Sequence, residues 1–181
     1  MAVYTVVDDL TLAAFLSAYD LGNALSFAGI AEGVENSNYL LQTDKAYYIL
    51  TLYEKRVEAD DLPFFMEVMT HLASKGMSCP LPVAARDGSI LRELMGRPCA
   101  VFSFLDGTSS RFPNREKCRA LGASLAEMHL HASGVTRRRS NALGPQSWQP
   151  LLDSVGAHAD EIAPSMQAMT QTRLDSILEA W

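Results

Sequence analysis

The sequence predicts an α+β protein: an antiparallel sheet with a helix beside it, followed by a region built of helices. Three observations predict it. Residues 46–53 form an apolar run in which Tyr47, Ile49, Thr51 and Tyr53 alternate with Tyr48, Leu50 and Leu52, the period-two signature of a strand. Leu62, Phe65, Met66, Met69, Leu72 and Ala73 recur at helical spacing and make an amphipathic stripe. After Gly107 the pattern turns from strand-rich to helix-rich. The composition agrees: of 181 residues, 48% are apolar and 20% charged, as in a folded globular chain.

Taken in order, Asp8-Asp9 caps a short helix carrying Leu12, Phe15, Leu16 and Tyr19 and ending near Gly22. Residues 24–30 are short and apolar, residues 31–37 read as a turn, and residues 38–43 resume as a strand. Asp44-Lys45 turns the chain into the strong strand at 46–53, giving two or three antiparallel strands. Asp60-Asp61 opens the amphipathic helix, and Gly76 suits the position just past its end. Pro80 and Pro82 mark an extended connection. Residues 83–85 and 89–94, around Arg86-Asp87-Gly88, predict a hairpin. The apolar run 99–105 is typical of a central strand, and Asp106-Gly107 ends it. Asn114 caps a helix whose expected buried stripe is Cys118, Leu121, Gly122, Leu125, Met128 and His129, with Gly134 at its end. Residues 137–140 are basic and exposed; amphipathic segments follow, the last with Leu174, Ile177, Leu178 and Trp181 on one face. That face runs to the final residue without a stop signal and needs a partner.

Composition also narrows the function. A net charge of −6 argues against a dedicated nucleic-acid binder. No apolar run approaches the roughly 18 residues of a bilayer span, and the first residues carry acids where a secretory signal carries bases, so no membrane partner is expected and the cytoplasm is the default. Cys79, Cys99 and Cys118 contain no Cys-x-x-Cys pair, which makes a disulfide scaffold or structural zinc site unlike this chain. His129 and His131, two residues apart on a helix, point away from each other and share no metal easily.

Two features carry chemistry. Gly29-Ile-Ala-Glu32-Gly33-Val-Glu-Asn36-Ser-Asn38 lies between strands; glycines let backbone N–H groups approach phosphate oxygens, although most loops of this composition are merely turns. It is neither a Walker A loop nor a Rossmann fingerprint. The order of elements (glycine-bearing hairpin, long strand, helix, buried strand, short linker, helices) is that of a protein-kinase-like small lobe leading into a helical large lobe. A nucleotide then sits with its adenine on the linker at Ser103-Phe104-Leu105 and its phosphates under the hairpin loop.

The strings Gly29-Ile-Ala-Glu-Gly-Val-Glu-Asn-Ser-Asn-Tyr39, Tyr48-Ile-Leu-Thr-Leu-Tyr-Glu-Lys-Arg56, Asp61-Leu-Pro-Phe-Phe65 and Cys79-Pro-Leu-Pro82 resemble the homoserine kinases of bacterial threonine biosynthesis, of the aminoglycoside phosphotransferase/choline kinase-like superfamily. Leu121-Gly-Ala-Ser-Leu-Ala-Glu-Met-His129 resembles the first large-lobe helix of that superfamily. The resemblance covers essentially the whole chain. It implies ATP and Mg²⁺ as cofactors, L-homoserine as the small-molecule partner, and O-phospho-L-homoserine as product. It also implies a nucleotide-binding lobe over residues 1–105 and the start of an incomplete helical lobe over 106–181. The nucleotide-binding residues it implies are Gly29, Glu32, Gly33, Asn36 and Asn38 of the loop, Thr51 and Lys55 of the strand, and Ser103 and Leu105 of the linker. A related kinase for an amino sugar or amino alcohol, or a non-catalytic nucleotide- or partner-binding module, are the alternatives.

Two departures qualify the resemblance. The superfamily's His-x-Asp-x-x-x-x-Asn loop and later metal-binding Asp have no counterpart; His158-Ala-Asp160 comes nearest, but no Asn stands where one is needed. Catalytic residues and magnesium ligands are therefore expected to be absent, the chain reads as truncated before its catalytic loop, and negligible turnover is expected of it alone. Many members also carry Lys or Arg where Thr51 stands. Lys55 or Arg56 is the available substitute, with Glu67 as a possible ion-pair partner, although a solvated strand end explains both cations.

Overall fold

A computed structural model describes residues 3–54, 57–108 and 110–181. The chain separates into two compact units, Met1–Arg138 and Arg139–Trp181.

The first unit begins with α1 (Asp9–Leu16), capped by Asp8, whose carboxylate accepts the Thr11 N–H at 2.9 Å. A single sheet follows: β1 (Ala24–Gly29), β2 (Asn36–Thr43), β3 (Tyr47–Tyr53), β4 (Pro82–Val83), β5 (Arg92–Leu94) and β6 (Arg97–Ser103), with α2 (Leu62–Ser74) between β3 and β4. The strand order is β1-β2-β3-β6-β4, all antiparallel, with β5 also pairing β6. Asn36 lies opposite Tyr53, Asn38 opposite Thr51, and Thr51 opposite Ala100. The alternation expected of β3 therefore extends across three strands and gives the sheet two different faces.

One face buries Tyr39, Leu41, Leu50, Leu52, Cys99 and Val101 against α1 and its flanks. Burial there pushes the Cys99 thiol up to about 12, so it stays a protonated core group. The other face packs Tyr53, Ala100 and Phe102 with Leu62 and Met66 of α2. Gly76, at φ +88°, lets the chain leave α2 in the left-handed region that side chains avoid.

Three local expectations change. Asn36 and Ser37 belong to β2 rather than to the preceding turn, because Tyr53 and Leu52 pair with them. The expected hairpin of 83–85 with 89–94 is reduced to its turn, closed by the Ala85 N–H on the Ser89 carbonyl at 2.8 Å. Instead Pro82 and Val83 pair with Phe102 and Val101, while Arg92 and Glu93 pair with Cys99 and Pro98, so β4 and β5 lie end to end along one edge of β6. Finally, α1 ends at Leu16, well before Gly22.

The turn between β4 and β5 is held by Asp87, which accepts from the Ser89 hydroxyl at 2.5 Å and its N–H at 2.9 Å, and pairs with Arg92 at 2.7 Å. The Ser89 hydroxyl, then its N–H, then Arg92 hold this carboxyl down at about 2, below the ordinary 3.8. A depressed folded value stabilises the protein above about pH 4 and loses that contribution as pH falls toward 2. Asp87→Asn is expected to flatten the acid limb of stability over that window, read by urea unfolding at stepped pH; an unchanged slope refutes the assignment.

The helix α3 (Arg115–Ala132) starts at Asn114, which accepts the Lys117 N–H at 2.9 Å as the sequence predicts. Its expected buried stripe is uncovered: no residue of α3 is buried, and Leu121 is 62% exposed. His129 is exposed as well. Helical periodicity says which face is apolar, not what covers it. The end of α3 is fastened to α2, where a His71 ring nitrogen lies 2.9 Å from the His131 carbonyl oxygen.

The second unit holds α4 (Pro145–Val155) and α5 (Met166–Ala180), joined through a 3₁₀ turn at Gly156–Glu161. The Trp148 and Trp181 rings meet edge to face at 5.2 Å, and the Trp148 indole N–H donates to the Leu143 carbonyl. No helix among the described residues is long and apolar enough to cross a membrane.

Candidate functional site

The face of the sheet shared with α2 opens at one end into a cavity of about 430 Å³. Alternation places Asn36 and Asn38 of β2 and Ile49, Thr51 and Tyr53 of β3 along its floor. Phe102 and Ser103 close β6 beside them, Phe104 and Leu105 continue into the linker, and Met69 and Pro80 form the remaining wall.

The polar groups are ordered. The Thr51 hydroxyl donates to Asn38 Oδ1 at 2.8 Å, straight across the β2–β3 pair. With its oxygen so engaged, the Asn38 amide offers its NH₂ as a donor. Asn36 Oδ1 is buried and has no hydrogen-bond partner. Burial pushes the Tyr53 phenol up to about 12, so it remains a neutral hydroxyl. None of the described residues lining the cavity carries a charge.

Five of the nine residues expected to bind nucleotide (Asn36, Asn38, Thr51, Ser103 and Leu105) therefore line one cavity. Gly29, Glu32 and Gly33 do not line it. Gly29 ends β1 where the chain passes so close to Val3 that a Cβ would stand 2.7 Å from its Cγ2, which accounts for a glycine there. Glu32 and Gly33 lie in the exposed connection to β2, with Gly33 at φ +117°. The Ile30 N–H is taken by the Asn38 carbonyl at 2.8 Å, whereas no hydrogen bond among the described residues uses an N–H of residues 31–35. Lys55 lies outside the described residues, as does Arg56.

The linker shows a division of labour invisible in the sequence. Ser103 is occupied: its N–H donates to the Leu81 carbonyl at 2.8 Å and its hydroxyl oxygen accepts the Leu81 N–H at 2.9 Å. The Phe104 N–H reaches the Tyr47 carbonyl at 3.4 Å. Leu105, next along, makes no backbone hydrogen bond among the described residues. The Leu105 backbone is thus a polar edge beside the cavity with no partner among the described residues.

Two further acids are engaged. A pairing of Glu67 with Lys55 or Arg56 lies outside the described residues; its carboxylate pairs with Arg137 at 3.2 Å and accepts from the Arg137 N–H and the Thr136 hydroxyl. Those donors, the Arg137 N–H foremost, lower its pKa. Asp160, in the closest approach to a catalytic motif, accepts the Gln167 N–H at 2.8 Å in the first turn of α5, while His158 contacts Glu161 at 2.7 Å. Among the described residues, no three His, Cys, Asp or Glu side chains converge as a metal site.

Ile49, Tyr53, Phe102, Phe104, Met69 and Pro80 complete the cavity and were not singled out by chemistry. Ile49 and Tyr53 were legible through their shared face with Thr51; Met69 and Pro80 arrive from distant segments.

Residues 26–181 match the model of a family described as "Phosphotransferase enzyme family". The chain is 55% identical over 175 residues to a homoserine kinase of Bradyrhizobium diazoefficiens, an alignment covering 97% of this chain and 54% of that protein. It is 52% identical over 181 residues to a homoserine kinase of Allorhizobium ampelinum, covering 100% and 56% respectively. The chain thus spans about half the length of the curated relatives it matches. Among solved structures, a spectinomycin phosphotransferase in complex with ADP and spectinomycin superposes with a TM-score of 0.59 at 13% identity, over 83% of this chain and 47% of that one. A microcompartment-associated aminopropanol kinase superposes with a TM-score of 0.57 at 20% identity, over 78% and 48%. Both are likenesses of fold.

Proposed function

The chain belongs to the phosphotransferase enzyme family, and from that premise we propose that it is the nucleotide-binding part of an ATP-dependent kinase acting on the side-chain hydroxyl of L-homoserine. The observation that carries the reading is the cavity beside the linker, with Asn36 Oδ1 buried and unpartnered in its wall. Leaving such an atom unpaired costs about 1–3 kcal/mol, and a bound hydroxyl or amine donor removes that cost. Homoserine as the acceptor is supported by the names of relatives 52–55% identical to this chain.

In this reading the Leu105 backbone binds the adenine edge, and the free amides of residues 31–35 face the phosphates with Gly29 and Gly33 giving the loop its shape. Glu32 is a polar side chain of that exposed loop. Thr51 does not contact phosphate as a cation would; it holds the Asn38 amide with its NH₂ presented to the ligand. Lys55 is the cation proposed for the phosphates. Ser103 keeps β6 and the segment at Leu81 together, so the linker leaves the sheet at a fixed place. ATP, when bound, supplies the γ-phosphoryl group.

Phosphoryl transfer rests on positioning and charge neutralisation, and this chain contributes the positioning. Its described residues do not fit a magnesium ion. In the same reading residues 1–105 form the nucleotide-binding lobe and residues 106–181 belong to the helical lobe. A cytoplasmic location, where thiols stay reduced, is in keeping with three free cysteines.

The test is calorimetric titration of the chain with ATP. Thr51→Val keeps the volume and removes the hydroxyl, and is expected to weaken ATP about two- to tenfold, the worth of one net hydrogen bond. Homoserine-dependent ADP release by the 181-residue chain is expected to be negligible. An absence of ATP binding at millimolar nucleotide refutes the reading.

A further inference from the structure

The back of the same hairpin carries a network that the nucleotide reading leaves unused. Ser37, fully buried, accepts hydrogen bonds from the Tyr4 N–H at 2.8 Å and the Thr5 N–H at 3.0 Å. Its own hydroxyl donates to Glu54 Oε1 at 2.6 Å, and Glu54 Oε2 pairs with Arg97 Nε at 3.3 Å. The Tyr39 hydroxyl donates to the Thr5 carbonyl at 2.6 Å, and the Tyr4 hydroxyl to the Val34 carbonyl at 3.1 Å inside the glycine-bearing loop. Val7 is anchored in the core, and Val3 lies where any side chain larger than hydrogen on Gly29 would collide with it.

Residues 3–7 are thus tied to the hairpin at its base, through Ser37, and at its loop, through Val34. Ser37 stands between Asn36 and Asn38 in β2, and alternation turns it to the opposite face from both. Fixing Ser37 from behind therefore fixes the backbone that presents the two asparagines in front. Glu54, 9% exposed, has one carboxylate oxygen on Ser37 and the other on Arg97; a buried carboxylate without such partners is costly, which makes the network all-or-none rather than loosely adjustable.

We propose that the segment at residues 3–7 is a strap that positions the glycine-bearing loop and the Asn36–Asn38 stretch, with Tyr4, Ser37 and Glu54 as positioning residues for the phosphate end of a nucleotide. The proposal rests on the nucleotide reading of the cavity in front, and it adds that the strap discriminates between parts of the ligand. The strap touches the loop and β2, not the linker, so its loss acts more on the phosphates than on the base.

The test compares ATP with adenosine. Tyr4→Phe removes only the bond to Val34 and is expected to raise the Kd for ATP about two- to fivefold; Ser37→Ala unties the whole network and is expected to raise it about tenfold or more. Tyr4→Phe is not expected to change the Kd for adenosine, and Ser37→Ala, which also loosens Asn36 and Asn38, is expected to weaken adenosine less than ATP. Both are expected to speed exchange of the Ile30 amide, which is bonded to the Asn38 carbonyl at the base of the loop. Asn114→Ala, which removes a helix cap remote from the strap, controls for lost stability and leaves both ligands and the loop unaffected. Equal weakening of ATP and adenosine, or unchanged exchange of the Ile30 amide, overturns the strap. If the wild-type chain binds neither ligand, the nucleotide reading fails by itself, and the exchange rates of Tyr4→Phe still decide whether the strap holds the loop.

Discussion

Leu50→Ala is expected to lower the free energy of unfolding by about 2–5 kcal/mol, the range for emptying a core leucine site that cannot collapse. Leu50 has no solvent exposure and stands in β3, paired with Tyr39 of β2 and Val101 of β6, so rigid neighbours surround it on both sides. Its side chain enters the cluster that joins the sheet to α1 through Leu12, Phe15 and Leu41. Two hydrogen-bonded strands cannot close onto the void without breaking their ladder, which favours the upper part of the range. Chemical denaturation followed by circular dichroism measures it; a loss below about 1 kcal/mol would mean that the site relaxes like a surface.

Ile49→Trp, one residue earlier, is expected to do the converse: to spare most of the stability and abolish nucleotide binding, raising the Kd for ATP at least about thirtyfold. Ile49 points to the other face and lines the cavity of about 430 Å³. An indole has room to extend into that open space, so the overpacking cost of about 1–3 kcal/mol that a filled core exacts is largely avoided. The space it takes is the space a ligand needs. Unlike removal of the strap, blocking the cavity is expected to weaken ATP and adenosine together. Retained ATP affinity in a folded Ile49→Trp protein would place the nucleotide elsewhere.

These neighbours with opposite consequences were legible from alternation alone. The run from Tyr47 to Tyr53 declared a two-sided strand with Ile49 and Thr51 on one side and Leu50 on the other, and the structure shows that the Ile49–Thr51 side lines the cavity. The caps were legible too, because Asp8 and Asn114 act on amides three residues away, within the reach of local sequence. The lack of a His-x-Asp-x-x-x-x-Asn loop is a plain property of the string. What local pattern did not contain was partnership. Ser103 was expected at the ligand and is held by Leu81, 22 residues before it. Glu67 was a candidate for the strand cation and is engaged by Arg137, 70 residues on. Ser37 read as a turn residue and is the knot that ties the N-terminal segment to the sheet.

The sequence by itself determined the class of fold, the order of most of its elements, the two faces of the central strand, and five of the residues that line the cavity. Periodicity and capping are short-range, set by the pitch of a helix, the pleat of a strand and the few orphan amides at a helix start. Only the tertiary structure decided that β4 and β5 share one edge of β6, that the apolar stripe of α3 is uncovered, and which polar groups around the cavity are spent and which are free. Those depend on which distant donor meets which acceptor, and burial makes that choice through desolvation rather than through any spacing along the chain.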